Sequence, residues 1–311
     1  MNDEKSRLRR ALGTGLGRGL RTAWLLTRIM VPLSAGVAVL QWTGALAWLG
    51  GVLSPAMGLF GLPGEAAVAL VSGFLTGVYG AIAAAASLQL TTVQMTVLAL
   101  MVLTAHNLVV ESAVQGRSGT SGIRMALLRI AGALILGALL WQVLRHGGQG
   151  VEVSPVHAPA ADEDLAAFAS AWALGAARLL LKIYAIVLSL TVGTELMRAY
   201  GLFEAISRSL RPAMRFLALA DSVALLWLTA TVLGLAFGAG LIIDESKEPG
   251  RFRPGELEDL HLSIAISHSL LEDTLLFLAV GASLPWILVP RPIAAAVAVR
   301  GAQWLRERAR R

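Results

Sequence analysis

His106-Asn107-Leu108-Val109-Val110-Glu111-Ser112 and His268-Ser269-Leu270-Leu271-Glu272-Asp273-Thr274 are two versions of one heptapeptide. Each opens on a histidine in apolar surroundings, then carries leucine two places on, an acid at the sixth position and a hydroxyl at the seventh. Ionisable groups are costly in such surroundings, so a matched pair of them points to a site on a duplicated scaffold. The match extends outward. Leu53-Ser54-Pro55-Ala56-Met57 recurs as Leu210-Arg211-Pro212-Ala213-Met214, and the shift of 157 from Pro55 to Pro212 also carries Arg21 onto Arg178, Gly44 onto Gly201 and Gly77 onto Gly234. The histidines lie 162 apart, and the five extra residues fit the hydrophilic stretch from Asp244 to Pro254, which has no counterpart near Ser87 to Thr92.

Composition names the solvent. Of the 311 residues 56% are hydrophobic and 15% charged, with a mean hydropathy of +0.69, too apolar for a soluble domain of this size. Residues 66–110 contain no Asp, Glu, Lys or Arg, a run long enough for two spans at about 20 residues each. Such spans must satisfy their own backbone hydrogen bonds, so the expected fold class is an all-α polytopic membrane protein. The absence of cysteine excludes disulfides, thiolate catalysis and cysteine-ligated metals. A net charge of +6 with arginine-rich flanks calls for a lipid bilayer rather than nucleic acid, because the positive-inside rule supplies basic flanks. Ala45-Leu46-Ala47 imitates a signal-peptidase site, but the apolar segment before it exceeds a signal core and has a counterpart later, so a retained first helix is expected. The expected location is the bacterial inner membrane, crossed several times.

The apolar runs and their breaks divide the chain into a basic cytoplasmic segment (1–21), a first repeat (22–145), a polar linker (146–166), a second repeat (167–305) and a basic tail (306–311). Each repeat holds about four helical segments: 22–52, 65–87, 93–115 and 123–145, then 167–200, 219–243, 257–281 and 284–305. If all four cross, the repeats are parallel; if the third of each is re-entrant, they are inverted. Loop charge favours inversion, which places Arg117, Arg124, Arg198, Arg208, Arg211 and Arg215 inside but leaves Lys247, Arg251 and Arg253 on the wrong side.

The residues that could bind a substrate or ion are His106, Asn107, Glu111, Ser112, His268, Ser269, Glu272, Asp273 and Thr274. On a continuous helix residues five apart are separated by about 140°, so His106 and Glu111 meet only if the helix unwinds between them, whereas His268 and Glu272 can share a face. Broken helices at mid-membrane are where transporters coordinate substrates and ions. The competing reading is that each histidine merely hydrogen-bonds a neighbouring helix. Gly73, Gly77 and Gly80, with Gly234, Gly238 and Gly240, form small-residue runs at equivalent places, suited to close helix contact or to unwinding. Neither a G-x-x-x-x-G-K-[ST] phosphate loop nor an H-E-x-x-H zinc-protease helix occurs, so the sequence supports no enzyme and calls for no cofactor; the identity of any metal stays open.

At Gly61-Leu62-Pro63-Gly64, at Leu70-Val71-Ser72-Gly73-Phe74 and at the His106–Ser112 motif, the chain resembles the bacterial nucleoside recognition, or Gate, domain family. That family includes spore maturation membrane proteins and the membrane portion of ferrous-iron permeases. The similarity covers most of the chain as two Gate-like halves and implies nucleoside handling. The chain lacks the GTPase domain and the cysteines of the iron permeases, a departure that argues against iron transport. Two functions follow as expectations. One is an inner-membrane transporter or permease for a small polar, nucleoside-like solute or an ion, with the site at the repeat interface. The other is a non-transporting scaffold that keeps the Gate fold. Homo-oligomerisation is compatible with both.

Overall fold

In lipid an uncharged run can satisfy its backbone only within itself, and every regular element of the described residues in the computed structural model is a helix. The described residues are 2–147, 150–151, 153, 164–248 and 250–310. In chain order the helices are α1 (Asn2–Trp42), α2 (Ala45–Gly58), α3 (Ala66–Thr76), α4 (Val78–Ala85), α5 (Thr92–Ala105), α6 (Leu108–Arg117), α7 (Gly122–Leu144) and α8 (Leu165–Ala199). They continue as α9 (Leu202–Ser209), α10 (Arg211–Leu217), α11 (Ala224–Leu233), α12 (Leu235–Ser246), α13 (Glu256–Ile266), α14 (Glu272–Ala279), α15 (Leu284–Leu288) and α16 (Pro290–Ala309). Among the described residues four stretches are long and apolar enough to cross a bilayer by themselves: Glu4–Trp42, Thr92–Arg117, Gly122–Leu144 and Leu165–Ala199. The chain is a polytopic all-α membrane protein.

Small residues set the closest helix contact. Gly15 and Gly19 lie against Val192 and Leu188, where a β-carbon would come within 2.8 Å and 2.9 Å of them. Farther along, Thr27 Oγ1 is 2.7 Å from the Tyr184 hydroxyl, and the Trp172 indole N–H donates to Ser34 at 3.0 Å. Residue numbers that rise along α1 fall along α8, so the two helices are antiparallel. At 41 residues α1 is about 60 Å long, roughly twice the hydrocarbon thickness of a bilayer. Its basic first half, residues 2–21, therefore continues the helix beyond the lipid, paired with the end of α8 through Arg18 and Glu195. The segment expected at 22–52 is broken at Gly44, whose φ of 74° is left-handed, and α2 leaves in a new direction.

The second apolar segment of each half turns back. A β-carbon on Gly73 would lie 3.0 Å from Ala81 Cβ, whereas eight residues of continuous helix separate positions by about 12 Å. The turn between α3 and α4 is Gly77, at φ 93° and ψ −177°, a conformation open essentially to glycine. Gly234, at φ 80° and ψ 160°, makes the same turn between α11 and α12, and Gly238 comes within 3.0 Å of Thr229 Cγ2 by the same construction. The sequence pattern left re-entrant or broken helices open for the third segments, 93–115 and 257–281; both are broken at mid-length, after Ala105 and after Ile266, and the glycines that reverse the chain sit in the second segments.

The hairpin at Gly234 also accounts for the charge pattern. Since α12 returns to the end from which α11 started, Lys247, Arg251 and Arg253 join the other arginines. Contacts close that end: Ser222 donates to Glu256 at 2.8 Å, Arg124 and Arg306 bind Glu258 at 2.5 and 2.8 Å, and Arg300 donates to the Arg215 carbonyl at 3.4 Å. The residues expected as a basic tail begin inside α16, where Arg306 also pairs with Asp259. At the opposite end Val151 and Val153, from the linker, pair with Thr92 and Leu90 at 2.8 and 2.9 Å. Linker residues Pro155, Pro159, Asp162 and Glu163 lie outside the described residues.

Candidate functional site

The middle of the molecule is built from two buried helices, α5 apolar over most of its length and α13 apolar apart from its acidic first turn, His261 and Ser263. Residues Met95–Ala105 of α5 and Leu260–Ile266 of α13 are inaccessible or nearly so. Each helix breaks where the heptapeptide begins. His106 is extended, Asn107 is left-handed (φ 49°, ψ 41°), and α6 starts at Leu108. In the second half Ser267 leaves helical geometry and Ser269 is left-handed at φ 46°. A break frees backbone groups that must find partners in a dry interior. The Asn107 N–H donates to the Gly73 carbonyl at 3.0 Å, and the Ser269 N–H to the Ala230 carbonyl at 3.0 Å. Gly73 and Ala230 stand at the shift of 157, Asn107 and Ser269 at 162, so each hairpin holds its own break by a corresponding bond.

The two breaks bring the histidines face to face, with Nε2 atoms 3.3 Å apart. His106 Nδ1 lies 3.2 Å from the Val102 carbonyl and His268 Nδ1 2.6 Å from the Ile264 carbonyl. A carbonyl only accepts, so each Nδ1 carries a proton and each Nε2 is turned to the centre. Glu111 approaches both, with Oε1 3.3 Å from His106 Nε2 and Oε2 3.0 Å from His268 Nε2. Asp273 Oδ2 is 3.2 Å from His106 Nε2. Unwinding at Asn107 is what allows His106 and Glu111 to meet, as five-residue spacing required. Glu272 does not join His268 as four-residue spacing allowed; it accepts a hydrogen bond from the Tyr79 hydroxyl on the first hairpin.

Arg129 and Arg291, both fully buried, tie the broken ends. Arg129 donates to the carbonyls of Thr104 at 3.2 Å and His106 at 2.6 Å and pairs with Glu111 Oε2 at 2.6 Å. Arg291 donates to the carbonyls of Ile287 at 2.8 Å and His268 at 3.3 Å and to the Thr274 hydroxyl at 2.5 Å. Neither arginine is among the residues singled out from sequence. Their signal was available: each follows its histidine by 23 residues. Tyr79 was likewise missed, because nothing in a glycine-rich run marks a tyrosine as an acid's partner.

A cavity of about 100 Å³ lies against this cluster, lined by Thr76, Gly77 and Tyr79 on one hairpin, Gly234 on the other, and His106 and Glu111 among the charged groups. Asn107, Ser269, Glu272 and Asp273 also line it. Glu272 is shared with a second cavity of about 280 Å³, lined by Arg18, Thr22, Thr191, Thr194 and Arg198 toward the basic end. Ser112 and Thr274 are buried behind the acids, Thr274 as the acceptor for Arg291 and Ser112 without a hydrogen-bond partner. Of the small residues, Gly73 and Gly80 are in tight contact, Gly80 with Thr76 Oγ1 1.8 Å from a built β-carbon. Gly240 faces open space and needs no small side chain.

Broken helices, opposed hairpins and a buried polar cluster define a class: a polytopic membrane protein with an interior polar site. Residues 23–118 match the Gate family, described as nucleoside recognition. The chain is also 32% identical over 270 residues to the uncharacterized membrane protein YvoD of Bacillus subtilis (strain 168), across 86% of both chains. It belongs to the Gate family of membrane proteins. No solved structure matches it.

Proposed function

We propose that the chain is a transporter or permease of the bacterial inner membrane for a small polar solute or an ion, built from two inverted repeats (22–145 and 167–305) with the site between them. The observation that carries this reading is the meeting of both helix breaks and both hairpin turns at His106 and His268. Coordinating groups at broken helices on a pseudo-symmetric interface are the arrangement by which alternating access exposes one site to either side. The central cavity, at about 100 Å³, is well under the ~300 Å³ lower range of drug-sized ligand pockets, which favours an ion or a very small solute over a nucleoside while the site is closed. The Tyr79–Glu272 bond stands between this cavity and the larger one and serves as the closure.

The experiment is uptake into proteoliposomes under imposed ion and solute gradients. The transporter reading expects accumulation that His106→Gln and His268→Gln each abolish. Absence of movement under every gradient would support the second reading, a scaffold that keeps the Gate fold without transporting.

A further inference from the structure

We infer that His106, His268 and Glu111 form a binding site for one divalent transition-metal ion of the zinc type. Their ligand atoms all lie within 4.8 Å of one another, and all three residues are buried. The separations are more telling than the proximity. A tetrahedral centre with bonds of about 2.0–2.1 Å has edges of about 3.3–3.4 Å. The imidazole nitrogens are 3.3 Å apart, and Glu111 reaches each with a different oxygen, Oε1 3.3 Å from His106 and Oε2 3.0 Å from His268, so one carboxylate oxygen turns toward the ion on binding. Asp273 stands 3.2 Å from His106, at the side of the one open position.

The protonation pattern requires something at this point. Both Nδ1–H groups are committed to backbone carbonyls, so two Nε2 atoms and two carboxylates converge. Asp273 Oδ2 is buried without a hydrogen-bond partner, and Glu111 Oε2 has only its ion-pair contacts with Arg129 and His268. A four-coordinate cation would answer both Nε2 atoms and the carboxylates at once. The backbone carbonyls that fix each Nδ1 also orient the rings, as partners behind metal-bound histidines do. Two nitrogens with one carboxylate select zinc-like ions over magnesium or calcium, which prefer all-oxygen shells. Arg129, 2.6 Å from Glu111, competes for the carboxylate and keeps the site weak enough to release its ion.

This inference rests on the transport reading only for what the ion does there; binding is tested without transport. The probe is Co²⁺ added to the full chain in detergent. The expected result is one Co²⁺ per chain with the intense visible absorption of four-coordination, displaced by Zn²⁺. Affinity should fall by at least about tenfold in His106→Gln and in His268→Gln, each checked for native circular dichroism. A parent chain that shows no such absorption and retains no zinc on dialysis overturns the site, as does binding that both variants leave unchanged. Should a variant fail to fold, X-ray absorption of the cobalt-loaded parent counts imidazole ligands directly; two are expected and none overturns the assignment. Solute uptake by a chain that binds no metal would sink the metal site alone, and metal binding without any uptake would sink the transport reading alone.

Discussion

Thr27 and Tyr184 are 157 residues apart in sequence and 2.7 Å apart in space, hydroxyl to hydroxyl. The same shift carries Pro55 onto Pro212, so these are corresponding positions that touch. On an antiparallel pair of helices a residue can meet its own counterpart only at the two-fold axis relating them. His106 and His268 also correspond and also meet, which puts a second point on the proposed axis.

The location of the hairpins makes a topological prediction. Single cysteines at Ser209 and Lys247 should be labelled from the cytoplasmic side and one at Gly147 from the periplasmic side. The natural chain has no cysteine, so no background needs removing. If the third segments were the re-entrant ones, Lys247 would be labelled from the opposite side to Ser209, and that pattern would reject the hairpins described here.

Much of this was legible, for reasons particular residues make clear. The two offsets, 157 before the insert and 162 after it, locate corresponding atoms as far down as the Asn107 and Ser269 amides. The requirement that the helix unwind between His106 and Glu111 followed from helical geometry. What could not be read was which glycine turns the chain, because a run such as Gly73 to Gly80 suits close contact and reversal equally well. Gly77 is distinguished by a backbone angle, which leaves no trace in composition. Arg129 and Arg291 escaped notice at the edges of uncharged runs, where an arginine ordinarily reaches out to the interface. Here both point inward, because the broken helices offer carbonyls that only a buried donor can satisfy.

Gly77→Ala and Gly234→Ala should each destabilise the protein, by about 1–3 kcal/mol, since both angles lie in a region that a β-carbon makes costly. Gly240→Ala, with open space around it, should not. Apparent melting temperatures of the three variants in one detergent decide the matter. Equal behaviour of Gly77→Ala and Gly240→Ala would show that the turn is not held by backbone conformation.

Tyr79→Phe removes the hydroxyl that donates to Glu272 while keeping the ring. If this bond closes the central cavity, the substitution and Glu272→Gln should change uptake in the same direction. The double variant should differ from the sum of the two by about 0.5–3 kcal/mol, expressed as a rate ratio, because partners in one bond are coupled. Strict additivity would place the two residues on separate duties.

Arg129→Leu should be the most damaging single change in the first half. It leaves Glu111 as a buried carboxylate without its guanidinium and uncaps the carbonyls of Thr104 and His106. Breaking a buried ion pair from one side costs about 3–5 kcal/mol, because the remaining charge is left in a medium that cannot solvate it. Replacing both partners removes that stranded charge but not the two uncapped carbonyls, so recovery should be partial. The expected order of apparent melting temperature is parent, then Arg129→Leu with Glu111→Gln, then Arg129→Leu alone. A double variant less stable than Arg129→Leu would mean that Glu111 is held by the histidines rather than by the arginine, and that Arg129 serves the helix break only.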